Sequence, residues 1–222
     1  MLTVPRGRRS IIGMTPTRAE SFLQLQEKRS QASRQQILDS AVQCLIEDGY
    51  SGASTLRIQE LAGVSRGRLL HHFPSRDELL VGAVQHLASS RVAALKEEGL
   101  ATITAQDDDP ARIDQAVDQM WVSFHQPYFW ASIELWIAAR HNDQLRTALR
   151  PAERRLYKAI RETLESYFGP MLAARPRYEQ TVDILVSSMR GVSLTYAFDP
   201  RRIARDPHLV QWRDMARTLL IG

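Results

Sequence analysis

Residues 54–80 read STLRIQELAGVSRGRLLHHFPSRDELL, and this stretch decides the fold. Ser54 or Thr55, Ser65 and Ser75 each stand before a short run of residues with helical spacing, which is the position of an N-cap. Gly63 lies between the first two runs, where glycine permits the left-handed turn that ends a helix. The pattern predicts two short helices joined by a tight turn, followed by a longer helix from about residue 75.

The region before this stretch predicts another long helix. Apolar residues recur at helical spacing from Ile37 to Ile46, and Ser33 with Gln36 would form a capping box at the start. Gly49 is the residue expected to end this helix. Together with the two short helices, it would form a three-helix unit with a helix-turn-helix.

The remainder of the chain is also predicted to be helical. The polar segment 102–109 is the expected seam between two units. Beyond it, Asp-Pro pairs at residues 109–110 and 206–207 are typical helix starts. No long stretch alternates apolar and polar residues with period two, so strands are not expected. The predicted fold class is all-α, with an N-terminal helix-turn-helix domain, a larger C-terminal helical bundle and about nine helices.

Composition narrows the class of protein. Apolar residues make up 44% and charged residues 24% of the 222 residues, as in ordinary globular proteins. No window approaches the apolar length of a membrane span, and the basic N-terminus has no apolar segment typical of a secretory signal. Cys44 is the single cysteine and is expected in the core. These features favour a cytoplasmic protein, and the net charge of +4 fits a nucleic-acid partner without requiring one.

The second short helix carries the candidate nucleic-acid contacts. A helix of this kind fits the major groove of DNA with its N-terminal residues toward the base edges. Arg68 can donate two parallel hydrogen bonds to guanine, and Arg66 can reach a base or a phosphate. Gly67 would let the helix approach the duplex closely, although glycine costs about 1 kcal/mol inside a helix. The predicted DNA-contacting residues are Ser54, Thr55, Arg57, Ser65, Arg66, Gly67, Arg68, His71, His72 and Arg76.

This stretch resembles the DNA-binding domain of the TetR family of regulators over about residues 34–85. The matching residues are Ile37, Ala41, Gly49-Tyr50, Ser54-Thr55, Ile58, Ala62-Gly63-Val64-Ser65-Arg66-Gly67, Leu69, His72-Phe73-Pro74-Ser75-Arg76 and Leu79. The resemblance implies a larger helical domain that binds a small effector and dimerises, usually through its last two long helices. Leu70 stands where family members commonly carry a tyrosine, and His71 is a candidate for the phosphate contact of that tyrosine.

The domain boundaries follow from these observations. Residues 1–30 lack sustained periodicity and are predicted to form a mostly disordered basic arm, which either tracks the minor groove of DNA or precedes a true start at Met14. Residues 31–80 are the predicted DNA-binding domain. The helix from about residue 75 links it to the predicted effector and dimerisation domain, residues 102–222.

The C-terminal part concentrates aromatic residues that are candidates for an effector cavity. The same spacing is also typical of a packed core, so that alternative stays open. The candidate effector-binding residues are Met120, Trp121, Phe124, Tyr128, Phe129, Trp136 and Tyr167. The resemblance assigns the dimer interface to the last two helices, with the candidate residues Leu185, Met189, Tyr196, Leu209, Trp212 and Leu219.

Catalysis has little support in the sequence. It contains no His-Glu-x-x-His, glycine-rich phosphate loop, nucleophile elbow or Cys/His cluster with metal spacing, so neither a cofactor nor a metal is expected. Glu134 and Arg140 are interpreted as an internal salt bridge or an effector anchor rather than a catalytic pair. The leading hypothesis is a homodimeric repressor that a small molecule releases from a near-palindromic operator in double-stranded DNA. The alternatives are activation, a DNA-binding regulator without an effector and, less favoured, a helical enzyme.

Overall fold

The computed structural model describes residues 18–222, apart from the side chains of residues 18–21, 88–95 and 204. Within that part of the chain there are nine α-helices, one 3₁₀ turn at Ile203–Arg205 and no strands, which confirms the all-α prediction. The helices are α1 (Arg18–Gly52), α2 (Thr55–Ala62), α3 (Arg66–His72), α4 (Arg76–Thr102), α5 (Ala111–Ser123), α6 (Pro127–Ala139), α7 (Asp143–Ala173), α8 (Tyr178–Thr195) and α9 (His208–Leu220). None of the described helices has the length and apolar character needed to cross a bilayer.

Helix α1 begins further upstream than its sequence pattern indicates. Residues 18–30, which were predicted to be disordered, are helical, while residues 1–17 of the predicted arm lie outside the described residues. No proline or glycine occurs between Pro16 and Gly49, and the glutamine, glutamate, lysine and leucine residues of the segment favour helix. Ser33 is therefore inside the helix and its side chain is buried, so the predicted capping box with Gln36 does not form.

The three serines at the starts of α2, α3 and α4 all act as N-caps, as predicted. The Oγ atoms of Ser54, Ser65 and Ser75 accept hydrogen bonds from backbone N–H groups three residues later, at 3.2, 3.3 and 3.1 Å. Gly63 ends α2 with φ of +59°, in the left-handed region. These local interactions fix where α3 begins and therefore which of its residues face outward.

The hydrophobic core of the N-terminal helices extends into α6 and α7. Apolar residues of α1 to α4 form one buried cluster with Leu135 of α6 and with Leu145 and Leu149 of α7. A second cluster joins α5 to α9 around Trp121 and Phe168, which are fully buried. The two cores therefore do not divide at the predicted seam 102–109, because α6 contributes to both.

Helix α1 is interrupted at Gly49, where the sequence predicted its end. Gly49 has φ of +66°, and the next backbone N–H, that of Tyr50, donates to Glu134 Oε2 of α6 at 2.9 Å. A Cβ on Gly49 would lie 3.2 Å from the same oxygen. Both the backbone conformation and the close approach of Glu134 therefore favour glycine. The predicted salt bridge between Glu134 and Arg140 is absent from the described residues, since Glu134 binds this backbone amide instead.

A polar junction, formed by Tyr50, Asp77 and Asn142, joins the ends of three helices. Asp77 accepts a hydrogen bond from the Tyr50 hydroxyl at 3.1 Å and one from Asn142 Nδ2 at 2.8 Å. Asn142 is also the N-cap of α7, because its Oδ1 accepts from the backbone N–H of Leu145 at 3.0 Å. One side chain thus starts α7 and ties it to the first turn of α4.

The faces of helices α8 and α9 that were assigned to dimerisation point into the chain's own core. Leu185, Met189, Leu209 and Trp212 are buried within the chain itself, so they are not free to contact a second subunit. Tyr196 and Leu219 are only partly exposed. The four buried residues therefore do not fit the dimer contact that the resemblance implies, because a resemblance indicates which helices meet a second subunit but not which face of each helix is outward.

The outward face of α8 and of the turn after it carries a different apolar stripe. Ile184 and Leu194 are each 39% exposed, and Phe198 is 83% exposed. Gly191 lies between them, and a Cβ at this position would meet no atom within 4 Å. This stripe, Ile184, Gly191, Leu194 and Phe198, is called the α8 face below.

The double role of Asn142 gives a testable stability prediction. Asn142→Ala removes both the cap and the bond to Asp77 and should lower the free energy of unfolding by about 2 kcal/mol. Asn142→Ser keeps a capping oxygen and should lose only about half as much. Urea unfolding with unchanged m-values measures both differences. If the serine variant is as stable as the natural protein, the hydrogen bond to Asp77 contributes nothing to stability. If the serine and alanine variants lose the same free energy of unfolding, the cap contributes nothing.

Candidate nucleic-acid interface and ligand cavity

Helix α3 presents a basic tip to solvent. Arg66, Gly67, Arg68 and His71 are all exposed, while Leu69 on the opposite side is buried in the N-terminal core. Among the described residues, none forms a hydrogen bond or ion pair with the guanidinium groups of Arg66 and Arg68, whereas Arg57, Arg161 and Arg213 each pair with a carboxylate. Both groups are therefore available to an external acceptor, as the sequence predicted.

The described part of the chain gives no structural reason for glycine at position 67. It lies in the first turn of α3, where alanine is also compatible with the backbone, and a Cβ built on it would meet no atom within 4 Å. Because glycine destabilises a helix by about 1 kcal/mol relative to alanine, its presence calls for another explanation. Close approach of an external surface to this turn would provide one.

Two of the predicted DNA-contacting arginines have partners within the chain. The Nε of Arg76 donates to the carbonyl of Ala53 at 3.0 Å, another nitrogen donates to the carbonyl of Tyr50, and the guanidinium carbon lies 4.2 Å from the centre of the Tyr50 ring. Arg76 thus binds the backbone of the turn after α1 instead of facing outward. Its predicted role as a DNA contact does not fit this position. Arg57 is about half exposed and lies 3.5 Å from Asp48, a surface pair that leaves it accessible.

The remaining predicted contacts differ in exposure. Ser54 and Ser65 are exposed and Thr55 is partly exposed, so the N-termini of α2 and α3 are open to solvent. His72 is partly buried beneath α3. Burial, followed by the positive surroundings of His71, Arg34 and Arg68, lowers the pKa of His72. A neutral imidazole packed under the helix fits these conditions better than a contact to phosphate.

A cavity of about 540 Å³ lies between α5, α6, α7 and α8. Six of the seven residues predicted for an effector site line it: Met120, Phe124, Tyr128, Phe129, Trp136 and Tyr167. Trp121 does not, because it is fully buried in the C-terminal core with its ring centre 4.7 Å from that of Trp212. Of the aromatic residues that the sequence concentrates here, some therefore line the cavity and Trp121 packs in the core.

The sequence analysis missed the charged residues of the cavity wall, of which Glu153 and Arg190 are partly buried. Arg190 of α8 places its guanidinium carbon 4.7 Å from the centre of the Trp136 ring, and Glu153 of α7 lies in the same wall. Burial raises the pKa of Glu153, against the opposing influence of Trp136 and Arg190, and burial lowers the pKa of Arg190. Neither residue belongs to a recognisable motif, so no signal in the sequence distinguishes them from solvated helix positions.

Comparison with known proteins agrees with the helix-turn-helix. Residues 37–83 match the family model described as bacterial regulatory proteins, tetR family. The chain is 36% identical over 83 residues to the HTH-type transcriptional repressor AcnR of Corynebacterium efficiens. The aligned residues cover 37% of this chain and 44% of that protein. The chain therefore spans less than half the length of this relative. It is 25% identical over 169 residues to the HTH-type transcriptional regulator CymR of Pseudomonas putida, with 76% of this chain and 81% of that protein covered.

The fold is shared over a longer region than the sequence. The structure of the multidrug binding protein EbrR, complexed with imidazole, superposes with a TM-score of 0.59 at 22% sequence identity. The superposition covers 85% of this chain and 95% of that one, so the likeness of fold includes the C-terminal helices. The chain thus has an N-terminal helix-turn-helix that is similar in sequence to the tetR family of bacterial regulatory proteins, and a helical architecture that is similar to the structure of EbrR.

Proposed function

We propose that the protein is a transcriptional repressor that binds double-stranded DNA through α3 and leaves it when a small molecule occupies the cavity. The observation that carries the proposal is the exposed tip of α3, where two arginines without partners among the described residues flank a glycine that the described part of the fold does not need. Arginine at such a position can bind guanine in the major groove with two hydrogen bonds. The similarity to repressors and regulators in the N-terminal domain supports the same function. Its place of action would be the cytoplasm, and no catalytic step is part of the proposal.

A homodimer fits this function because two copies of α3 would read the two halves of a near-palindromic operator. The α8 face is the surface proposed for the contact between subunits. It combines three exposed apolar side chains with Gly191, at which two helices can approach closely. This surface replaces the buried residues that the sequence suggested.

Helix α6 provides a route from the cavity to the DNA-binding helices. Its residues Phe129, Ile133 and Trp136 line the cavity, while Glu134 of the same helix binds the backbone amide of Tyr50. A ligand that displaces α6 would therefore act on the end of α1 and, through Tyr50 and Asp77, on the start of α4. Because α4 follows α3 directly, such a shift would change the spacing of the two α3 tips in a dimer. The cavity favours this hypothesis over a regulator without an effector.

The role of Arg68 in DNA binding is tested with a duplex that the protein has selected from a random pool. Arg68→Ala should weaken binding to the selected duplex by about 1–3 kcal/mol and relax the base preference at one position in each half-site. Fluorescence anisotropy at fixed salt measures the affinity. Lys158→Ala on α7 is the control, since it removes the same charge from an 81% exposed side chain outside α3 and should change affinity little. Unchanged affinity of the Arg68 variant would remove this residue from the readout.

Gly67→Ala separates stability from DNA binding. Alanine should stabilise the protein by up to about 1 kcal/mol, because the added methyl group meets open space within the chain. The same methyl group should weaken binding to the selected duplex by roughly tenfold, or about 1.4 kcal/mol, if the DNA backbone approaches this turn. Thermal unfolding and anisotropy on one preparation give both values. A variant that is more stable and binds equally well would contradict the proposed approach of the duplex.

The dimer surface is tested by two leucines of α8. Leu194→Asp places a charge on the α8 face and should shift the protein toward monomer while circular dichroism stays unchanged. Leu185→Asp is the comparison, since it buries a charge in the C-terminal core and should destabilise the fold by more than about 4 kcal/mol. Light scattering after size-exclusion chromatography measures the mass. A Leu194 variant that remains dimeric at the same concentration would reject this surface.

A further inference from the structure

The charge distribution of the cavity narrows the class of ligand that it can accept, given the ligand-responsive function proposed above. Three charged residues line it: Glu153, Arg154 and Arg190. Arg154 is exposed, whereas Glu153 and Arg190 are partly buried. The wall therefore has more positive than negative groups, and the positive group that lies away from the surface is Arg190.

Arg190 has an incomplete set of partners. Its guanidinium lies over the Trp136 ring, and its buried Nε has no hydrogen-bond partner. Among the described residues, none forms a hydrogen bond or an ion pair with this side chain. A partly buried guanidinium normally donates several hydrogen bonds, because a donor that is removed from water without an acceptor destabilises the structure. The cavity thus holds unused donors beside an aromatic surface.

Glu153 does not supply the missing acceptor. It forms neither a hydrogen bond nor an ion pair with Arg190 in the described structure. The hydrogen-bond donors of the Arg190 guanidinium are therefore left for an acceptor that enters the cavity. An anion entering the cavity would be attracted by Arg190 and Arg154 and repelled by Glu153 alone.

The other walls are apolar and aromatic. Phe124, Phe129, Ile133 and Leu164 contribute apolar surface, and a volume of about 540 Å³ is in the range of cavities that hold drug-sized molecules. A ligand that fills this space must bury apolar surface while it satisfies one guanidinium. We infer that the effector is an apolar organic acid, with its carboxylate bound by Arg190 and its aromatic or alicyclic body packed against Trp136 and the neighbouring phenylalanines.

The experiment compares three probes that share one ring system and differ in charge. These are 2-naphthoate, the neutral 2-naphthalenemethanol and the cationic 2-naphthylmethylammonium, each titrated calorimetrically into the full-length protein at pH 7.5. The naphthoate should bind at least tenfold more tightly than the other two. Arg190→Gln should reduce naphthoate affinity about tenfold or more, to the level of the neutral probe, because it removes a charged hydrogen bond. Arg190→Lys should retain part of the preference, since it keeps the charge but not the two-pronged geometry.

The control variant is Arg154→Gln, which removes a positive charge from the exposed part of the same wall and should change naphthoate affinity less than threefold. Thermal unfolding checks that each variant is folded, and Arg190→Lys serves as the variant to interpret if Arg190→Gln does not fold. Tighter binding of the ammonium probe, equal binding of all three probes, or no binding of any would each overturn the inference. Binding of the selected duplex by the ligand-free protein is measured separately, so its absence would instead contradict the proposed regulatory function.

Discussion

The packing of α6 and the start of α7 against the helix-turn-helix is the contact on which the rest of the structure depends. Leu135, Leu145 and Leu149 are buried in the same cluster as the residues of α1 to α4. Burial of each such side chain contributes about 1.5–3 kcal/mol, which exceeds the net contribution of a typical hydrogen bond. Apolar burial therefore holds the two halves together. The polar contacts of Glu134 and Asn142 fix their relative orientation, because hydrogen bonds depend on angle and apolar contacts do not.

This arrangement makes the cavity and the α3 tip parts of one continuous body. Helix α6 has one face in the N-terminal core and another on the cavity wall, so its position is determined by both. A small movement in a close-packed protein is transmitted to neighbours rather than absorbed, since interiors contain few voids. The chain therefore has a physical connection between the proposed ligand site and the proposed DNA surface, through Glu134, Tyr50 and Asp77.

The helix-turn-helix could be predicted almost entirely from local sequence. Its caps depend on serines that bind amides three residues away, and its turn depends on the positive φ of one glycine. Exposure of Arg66 and Arg68 follows from the same local geometry, because Leu69 must face the core. The start of α1 was misjudged for the opposite reason. Residues 18–30 lack an apolar face that marks a packed helix, yet they have good helix propensity and no breaker.

The sequence by itself determined the fold class, the position of the basic tip and the set of aromatic residues near the cavity. Only the tertiary structure decided which of these aromatics line the cavity, that Arg76 is used within the fold, and that Glu153 and Arg190 share a wall. It also decided that Leu185 and Met189 face inward while Leu194 faces outward. The physical reason is that capping and turn formation involve residues three or four positions apart. Which segment a helix face contacts, by contrast, depends on how parts of the chain that are distant in sequence pack together.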